Sequence, residues 1–142
     1  MSASERIAVT IHTTVNVPLE KAWTVWSGPE HITHWAVGSP DWHTPYAEND
    51  LRTGGKFLSR MAAKDGSVSF DFTGTYDAVL HHHMIAYTME DGRRATATFA
   101  GNGNTTLVTQ TFECETENTP ELQREGWQTI LNNFKAYAES LR

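Results

Sequence analysis

The chain of 142 residues has little of what secreted and membrane proteins need. Cys114 is its single cysteine, which excludes an internal disulfide and favours a reducing compartment. No apolar run approaches the roughly 18 residues of a membrane span, and the N-terminus lacks the apolar core of a signal peptide. We therefore expect one cytoplasmic domain over residues 1–142 that makes no contact with a membrane.

Basic clusters and familiar catalytic motifs are also missing. The net charge is −6, and without a basic patch the chain is not expected to bind nucleic acid. There is no Gly-x-Ser-x-Gly elbow, P-loop or dinucleotide fingerprint. Cys114 stands among acidic residues, which raise rather than lower the pKa of a thiol. The residues therefore identify no catalytic group, and no cofactor is expected.

What is present is mostly strand-like sequence. Apolar and polar residues alternate over residues 7–15, which predicts a half-buried strand. Pro18 begins a short helix, and a second short helix ends at Trp35. Residues 36–47 are predicted to form an irregular loop. From Glu48 onward about six strands are expected, separated by turn signals such as Asp65-Gly66, Asp91-Gly92 and Gly101-Asn102-Gly103.

The tail of the chain, residues 119–141, predicts a helix of roughly 20 residues and about 30 Å. Thr119 is its expected N-cap, and Pro120 suits the first helical position. One strand, two short helices, a strand meander and a long helix together predict an α+β domain with its helices on one side of an antiparallel sheet. The stripe expected to face that sheet consists of Leu122, Trp127, Ile130, Leu131, Phe134, Ala138 and Leu141.

Seven blocks stand out along the chain: Val17–Trp26, Pro29–Trp35, Asp50–Phe57, Phe72–Tyr76, Tyr87–Glu90, Arg94–Phe99 and Gly126-Trp127. In this order they resemble the heat-shock-protein-90 ATPase activator homologue family of the START and polyketide-cyclase-like (SRPBCC) superfamily. The resemblance implies the helix-grip fold, a curved antiparallel sheet of about six or seven strands wrapped around a long C-terminal helix. Superfamily members bind, transport or transform very different apolar ligands, so the fold does not specify the chemistry.

The resemblance also implies a hydrophobic cavity between the long helix and the sheet. Ala95, Ala97 and Thr109 stand where the family usually has branched aliphatic residues, which would widen the interior if they face the helix. Which face of the last strand points inward stays open. Ala97→Leu is expected to abolish ligand binding. The expected ligand-binding residues are His34, Trp35, Phe57, Phe70, Phe72, Tyr76, Tyr87, Ala97, Phe99, Trp127, Ile130, Leu131 and Phe134.

Histidines are the remaining conspicuous residues. His81-His82-His83 alternate in direction on a strand and cannot all reach one metal ion, so a solvated turn is expected there. His31 and His34 share a helical face, with a carboxylate and a third imidazole in the following loop. They suit zinc or non-haem iron in type but lack a recognised spacing, so no metal is expected.

The function predicted from the sequence is binding of a small apolar or aromatic molecule, with residues 36–47 acting as a lid over the cavity. Two alternatives stay open. One is a polyketide-cyclase-like enzyme in which Tyr76, Tyr87 or His34 supplies acid–base catalysis. The other is a co-chaperone-type protein-interaction domain like the family's namesake. The chain is expected to be a monomer, or a homodimer formed through a paired edge strand.

Overall fold

Seven antiparallel strands form one sheet in the computed structural model, which describes residues 6–37 and 39–141. The spatial order is β1-β7-β6-β5-β4-β3-β2, so the first strand pairs with the last and β1 and β2 lie at the edges. Every other neighbouring pair is consecutive in the chain. The strands are β1 (Ala8–Val15), β2 (Trp42–Asn49), β3 (Lys56–Ala63), β4 (Ser69–Leu80), β5 (Met84–Met89), β6 (Arg94–Asn102) and β7 (Thr105–Glu113).

Three helices accompany this sheet: α1 (Leu19–Ser27), α2 (Pro29–Trp35) and α3 (Pro120–Ser140). The Thr119 side chain accepts a hydrogen bond from the Leu122 amide at 3.1 Å, which confirms the predicted N-cap. The curled sheet and its long C-terminal helix confirm the predicted α+β helix-grip fold. No helix formed by residues 6–37 and 39–141 is both long and apolar enough to cross a membrane.

One residue of the predicted apolar stripe on α3 was misplaced. Leu122 is 56% exposed, whereas its neighbour Gln123 is buried. The Gln123 amide accepts from the Glu115 backbone at 2.9 Å and donates to the Asn118 carbonyl at 2.8 Å. The first turn of the helix therefore turns a polar side chain inward, because the backbone that links β7 to α3 needs hydrogen-bond partners.

The predicted loop over residues 36–47 is wrong in its second half. Strand β2 begins at Trp42, which pairs with Ala63 of β3. The sequence hides this strand because Pro45 interrupts it, but an edge strand tolerates proline, and the register shifts between His43 and Tyr46. The connection between α2 and β2 is thus limited to residues 36–41, and residue 38 lies outside the described residues.

Helix α3 covers the exposed edge of β1. Three of its side chains donate hydrogen bonds to carbonyl groups of that strand that have no strand partner on this side. These bonds occupy groups that a second chain would use to extend the sheet, which is how proteins protect an edge strand. They join Arg124 Nη1 to Thr10 O at 2.9 Å, Gln128 Nε2 to His12 O at 3.4 Å and Lys135 Nζ to Thr14 O at 2.7 Å.

The structure also answers which face of β7 points inward. Val108, Gln110 and Phe112 are buried, and Leu107 is 41% exposed. Thr109 therefore lies on the outer face and does not widen the interior, contrary to the expectation. Ala95 and Ala97 do face inward, where Ala95 pairs with Phe112 and Ala97 pairs with Gln110.

Candidate functional site

A cavity of about 320 Å³ lies between α3 and the β3–β5 part of the sheet. Helix α3 packs along β1 and against α1 and α2. Because the helix lies toward one side of a curved sheet, the opposite half of the concave face is not filled by helix side chains. That geometry explains why an interior space exists beside an otherwise well-packed core.

The structure brings nine of the thirteen predicted side chains to this cavity. Most are aromatic, and they come from helices and strands that are far apart in sequence. The nine are Trp35, Phe57, Phe70, Phe72, Tyr76, Tyr87, Trp127, Ile130 and Leu131.

The other four predicted residues do not line the cavity. His34 is exposed, and its ring stacks on Tyr137 with centroids 5.1 Å apart. Phe99 and Phe134 belong to the buried core, where both rings meet Trp26 edge-on. Ala97 is fully buried and has no surface on the cavity. Leucine at position 97 would therefore overpack the core, so that substitution does not test ligand binding.

A cluster of rings forms one wall, with Phe57 at its centre. The Phe57 centroid lies 5.5 Å from that of Phe72, 5.3 Å from Tyr76 and 5.1 Å from Tyr87. Gly74 makes this possible, because a Cβ atom there would stand 2.5 Å from Phe57 Cζ. The ring can lie against β4 only because the strand has no side chain at that position.

The opposite wall comes from α3 and is fixed by a stack. Trp127 lies on the Phe112 ring of β7 with centroids 4.1 Å apart and an angle of 5° between the planes. Ile130 and Leu131 continue the wall along the same helix face. This face thus presents a flat, rigid apolar surface to the Phe57 cluster across the cavity.

The cavity opens at β2 and at the start of β4. Phe70 is 52% exposed, and Glu48 is also exposed, although both contribute to the lining. Phe70 meets the Trp42 ring edge-on at 5.8 Å. Ala36, the first residue of the short connection before β2, lines the cavity as well.

The hydroxyl groups of the two buried tyrosines of the cavity differ in their hydrogen bonding. Tyr76 donates to Asn49 Oδ1, and the Asn49 amide donates in turn to the Ser27 carbonyl at 2.7 Å. Tyr87 is only 8% exposed, and no residue that the structure describes hydrogen-bonds with its hydroxyl, which is left accessible from the cavity. Burial raises the pKa of Tyr87, so the phenol stays protonated and able to donate.

Two further polar residues of the lining were missed by the sequence analysis. Gln110 is 8% exposed, and within the described chain its amide has no hydrogen-bond partner. The Arg93 side chain is 16% exposed and donates through Nε to Asp91 Oδ2 at 2.7 Å. Arg93 stands opposite Met89, whose backbone N–H donates to the Arg93 carbonyl at 2.7 Å, and Tyr87 pairs with Ala95. Arg93 and Tyr87 are therefore diagonal neighbours on the same face of the β5–β6 hairpin.

A signal for these two residues was present in the sequence. Arg93 stands two positions before Ala95, and Gln110 lies between Val108 and Phe112, so each has the inward-facing parity of its strand. The other lining residues that the sequence analysis did not name are Trp26, Ile32, Ala36, Glu48, Ser59, Met61 and Ile85.

The histidines lie away from the cavity. His31 Nδ1 is 2.8 Å from the Tyr137 hydroxyl. Residues 81–83 form a turn in which His81 and His83 are exposed, as predicted. The His81 and His82 rings stack at 3.8 Å, and both meet the Trp23 ring in T-shaped contacts. Over residues 6–37 and 39–141, no three His, Cys, Asp or Glu side chains are grouped so that they could hold a metal ion.

Comparisons with known proteins agree with this fold. An AHSA1-like protein from Aeromonas hydrophila is 42% identical, with 94% of this chain and 93% of that chain covered and a TM-score of 0.89. A protein from Cytophaga hutchinsonii is 48% identical, with 93% and 92% covered and a TM-score of 0.80. A protein from Nitrosomonas europaea, 19% identical with 99% and 97% covered and a TM-score of 0.80, shares the fold alone.

A comparison with curated proteins gives no match. The family model for "Activator of Hsp90 ATPase homolog 1-like protein" matches residues 16–139. That match spans both short helices, β2 to β7 and nearly all of α3. The chain therefore belongs to the family of Activator of Hsp90 ATPase homolog 1-like proteins.

Proposed function

We propose that the protein binds one small, largely apolar or aromatic molecule in the cavity between α3 and β3–β5. The supporting observation is the cavity itself, which combines about 320 Å³ of space with aromatic walls and a few buried polar groups. Ligand sites in proteins typically have this composition, apolar walls with a small number of orienting polar groups. Of the lid predicted over residues 36–47, residues 42–47 belong to β2, and Ala36 lines the cavity.

The volume limits the size of the ligand. At about 30 Å³ for each water molecule in the liquid, the cavity has room for about ten waters. A molecule with two fused aromatic rings is small enough to enter such a space. Burying about 250 Å² of apolar ligand surface contributes about 6 kcal/mol before the entropic cost of association.

Binding is better supported than catalysis. Of the three residues considered for acid–base chemistry, His34 lies outside the cavity and the Tyr76 hydroxyl is already bonded to Asn49. Burial raises the pKa of Tyr87, so it is a poor general base at neutral pH. The co-chaperone alternative is supported by the family's name alone.

Filling the cavity tests the proposal. Ser59 is buried in β3, lines the cavity and stands between Phe57 and Met61, two other lining residues of the same strand. In the Ser59→Phe variant a ring occupies part of the space, so the affinity for 2-naphthylmethanol is expected to fall at least about tenfold. Isothermal titration calorimetry on the purified protein, first stripped of any bound molecule, measures the change.

Thr98→Phe is the matched control. It places the same ring on the outer face of β6, where Thr98 is exposed, and is expected to leave the affinity for the probe unchanged. Native mass spectrometry of the protein from its own host adds a second measurement, a stoichiometric small-molecule companion. Unchanged probe affinity in a folded Ser59→Phe variant would show that the cavity is not the binding site.

A further inference from the structure

We propose that the ligand carries a carboxylate, which is bound by Arg93 and Tyr87 on the side of the cavity farthest from the edge strand β2. The inference rests on the proposed function and adds the chemical class of the ligand, an aromatic or otherwise apolar carboxylic acid. It follows from two neighbouring side chains that line the cavity and carry N–H or O–H groups with no hydrogen-bond partner in the described part of the chain.

The two residues lie on the side of the cavity away from β2, because β5 and β6 stand three and four places from that edge strand in the sheet. Tyr87 belongs to β5, and Arg93 directly precedes β6. The exposed residue Glu48 lies on the edge strand β2, at the other side of the cavity. A ligand that enters beside β2 crosses the aromatic side chains of β3 and β4 before it reaches the two donors.

Both residues offer donors rather than acceptors to the cavity. The Tyr87 phenol is protonated and, within the described chain, unpaired. Arg93 uses Nε for Asp91, while its two Nη groups make no hydrogen bond with any residue of the described ranges. A guanidinium presents its donors in a planar fork that matches a carboxylate, and such charge-assisted hydrogen bonds are about twice as strong as neutral ones.

The surrounding charges favour the same orientation. Asp91 only partly balances Arg93, because it contacts Nε alone, at 2.7 Å, and its own side chain is 52% exposed and therefore screened by solvent. At the opening, the exposed carboxylate of Glu48 repels an anion and so disfavours the reversed pose. An apolar acid therefore lies with its rings between Phe57 and Trp127 and its carboxylate on Arg93.

A matched pair of probes tests this inference. 2-Naphthoic acid and 2-naphthylmethanol have nearly the same shape, but at pH 7.5 only the acid is charged. Calorimetry on the wild-type protein is expected to show at least about tenfold tighter binding of the acid. In Arg93→Met, which keeps an apolar stem, the acid is expected to lose that preference while the affinity for the alcohol changes less than about threefold.

Two further variants sharpen the test. Arg52→Met is the matched control, since Arg52 also bonds through Nε to an aspartate two residues earlier, Asp50, but is 71% exposed and outside the cavity. It is expected to keep the full preference. Arg93→Lys retains the charge if Arg93→Met proves unstable, and is expected to weaken acid binding by about three- to tenfold because the planar fork is lost.

The outcomes separate the inference from the proposed function. If the alcohol binds and the acid binds no tighter, the carboxylate site is refuted and the apolar cavity site stands. A preference for the acid that survives in folded Arg93→Met also overturns the inference. If neither probe binds the stripped wild-type protein, both the proposed function and this inference are refuted.

Discussion

Replacing Gly74 by alanine tests the packing on which one wall of the cavity depends. The new Cβ would stand 2.5 Å from Phe57 Cζ, 2.6 Å from Phe57 Cε2 and 2.7 Å from the Thr88 carbonyl oxygen. Ordinary contacts of this kind are 3.4–4 Å. The ring can shift into the cavity, but the Thr88 carbonyl belongs to the β4–β5 ladder and has no comparable freedom.

The expected magnitude follows from two opposing effects. Overpacking of this kind costs about 1–3 kcal/mol, while alanine in place of glycine recovers about 0.5–1 kcal/mol of chain entropy. We therefore expect Gly74→Ala to lower the free energy of unfolding by about 1–2 kcal/mol. The corresponding fall in Tm is about 3–8 °C, measured by urea denaturation and by thermal scans followed by circular dichroism.

Gly126→Ala supplies a control of opposite sign. An added Cβ at Gly126 meets nothing within 4 Å, and the residue lies inside α3, so alanine is expected to stabilise by about 0.5–1 kcal/mol. The double variant Gly74→Ala/Phe57→Leu removes one of the two clashes and is expected to show a coupling energy above about 0.5 kcal/mol. A Gly74→Ala protein as stable as wild type, with no coupling to Phe57, would refute the packing argument.

Two other predictions concern polar contacts. Tyr76→Phe leaves Asn49 Oδ1 without its hydrogen-bond donor. We expect the free energy of unfolding, measured by urea denaturation, to fall by only about 1 kcal/mol, because the half-buried Asn49 partly replaces the lost bond with one to water. An unchanged midpoint of denaturation would contradict this. The hydrogen bond from Arg94 holds the pKa of Glu113 below its usual value. The ionised Glu113 therefore stabilises the fold above its unfolded-state pKa, and this contribution is lost as the pH falls through its folded-state pKa. Glu113→Gln is therefore expected to be less stable than wild type at pH 7 and no less stable at pH 2, and an equal deficit at both pH values would refute this.

Much of the fold could be predicted because it depends on local periodicity and punctuation. The alternation over residues 7–15, the turn signals and the N-cap at Thr119 correspond to β1, the hairpins and the start of α3. The main error was β2, where Pro45 broke the pattern. An edge strand needs fewer ladder bonds than a central one, so its sequence is less constrained and harder to recognise.

The cavity was harder to predict than the fold. Aromatic residues such as Phe57 and Trp127 were assigned to it on their type and on the family resemblance, and the structure places them there. The same reasoning assigned Phe99 and Phe134 to the lining, although both fill the core. Type and parity give the face of an element, but they do not say how far along that face the packing stops and the cavity begins.

By itself, the sequence determined which elements form and which of their faces are apolar, because these properties depend on neighbours within a few residues. Only the tertiary structure decided where the interior is left open. That depends on α3 packing along β1, on Gly74 admitting the Phe57 ring, and on Arg93 facing inward beside Tyr87. These contacts join residues distant in the chain, and their geometry exists only once the sheet has curved around the helix.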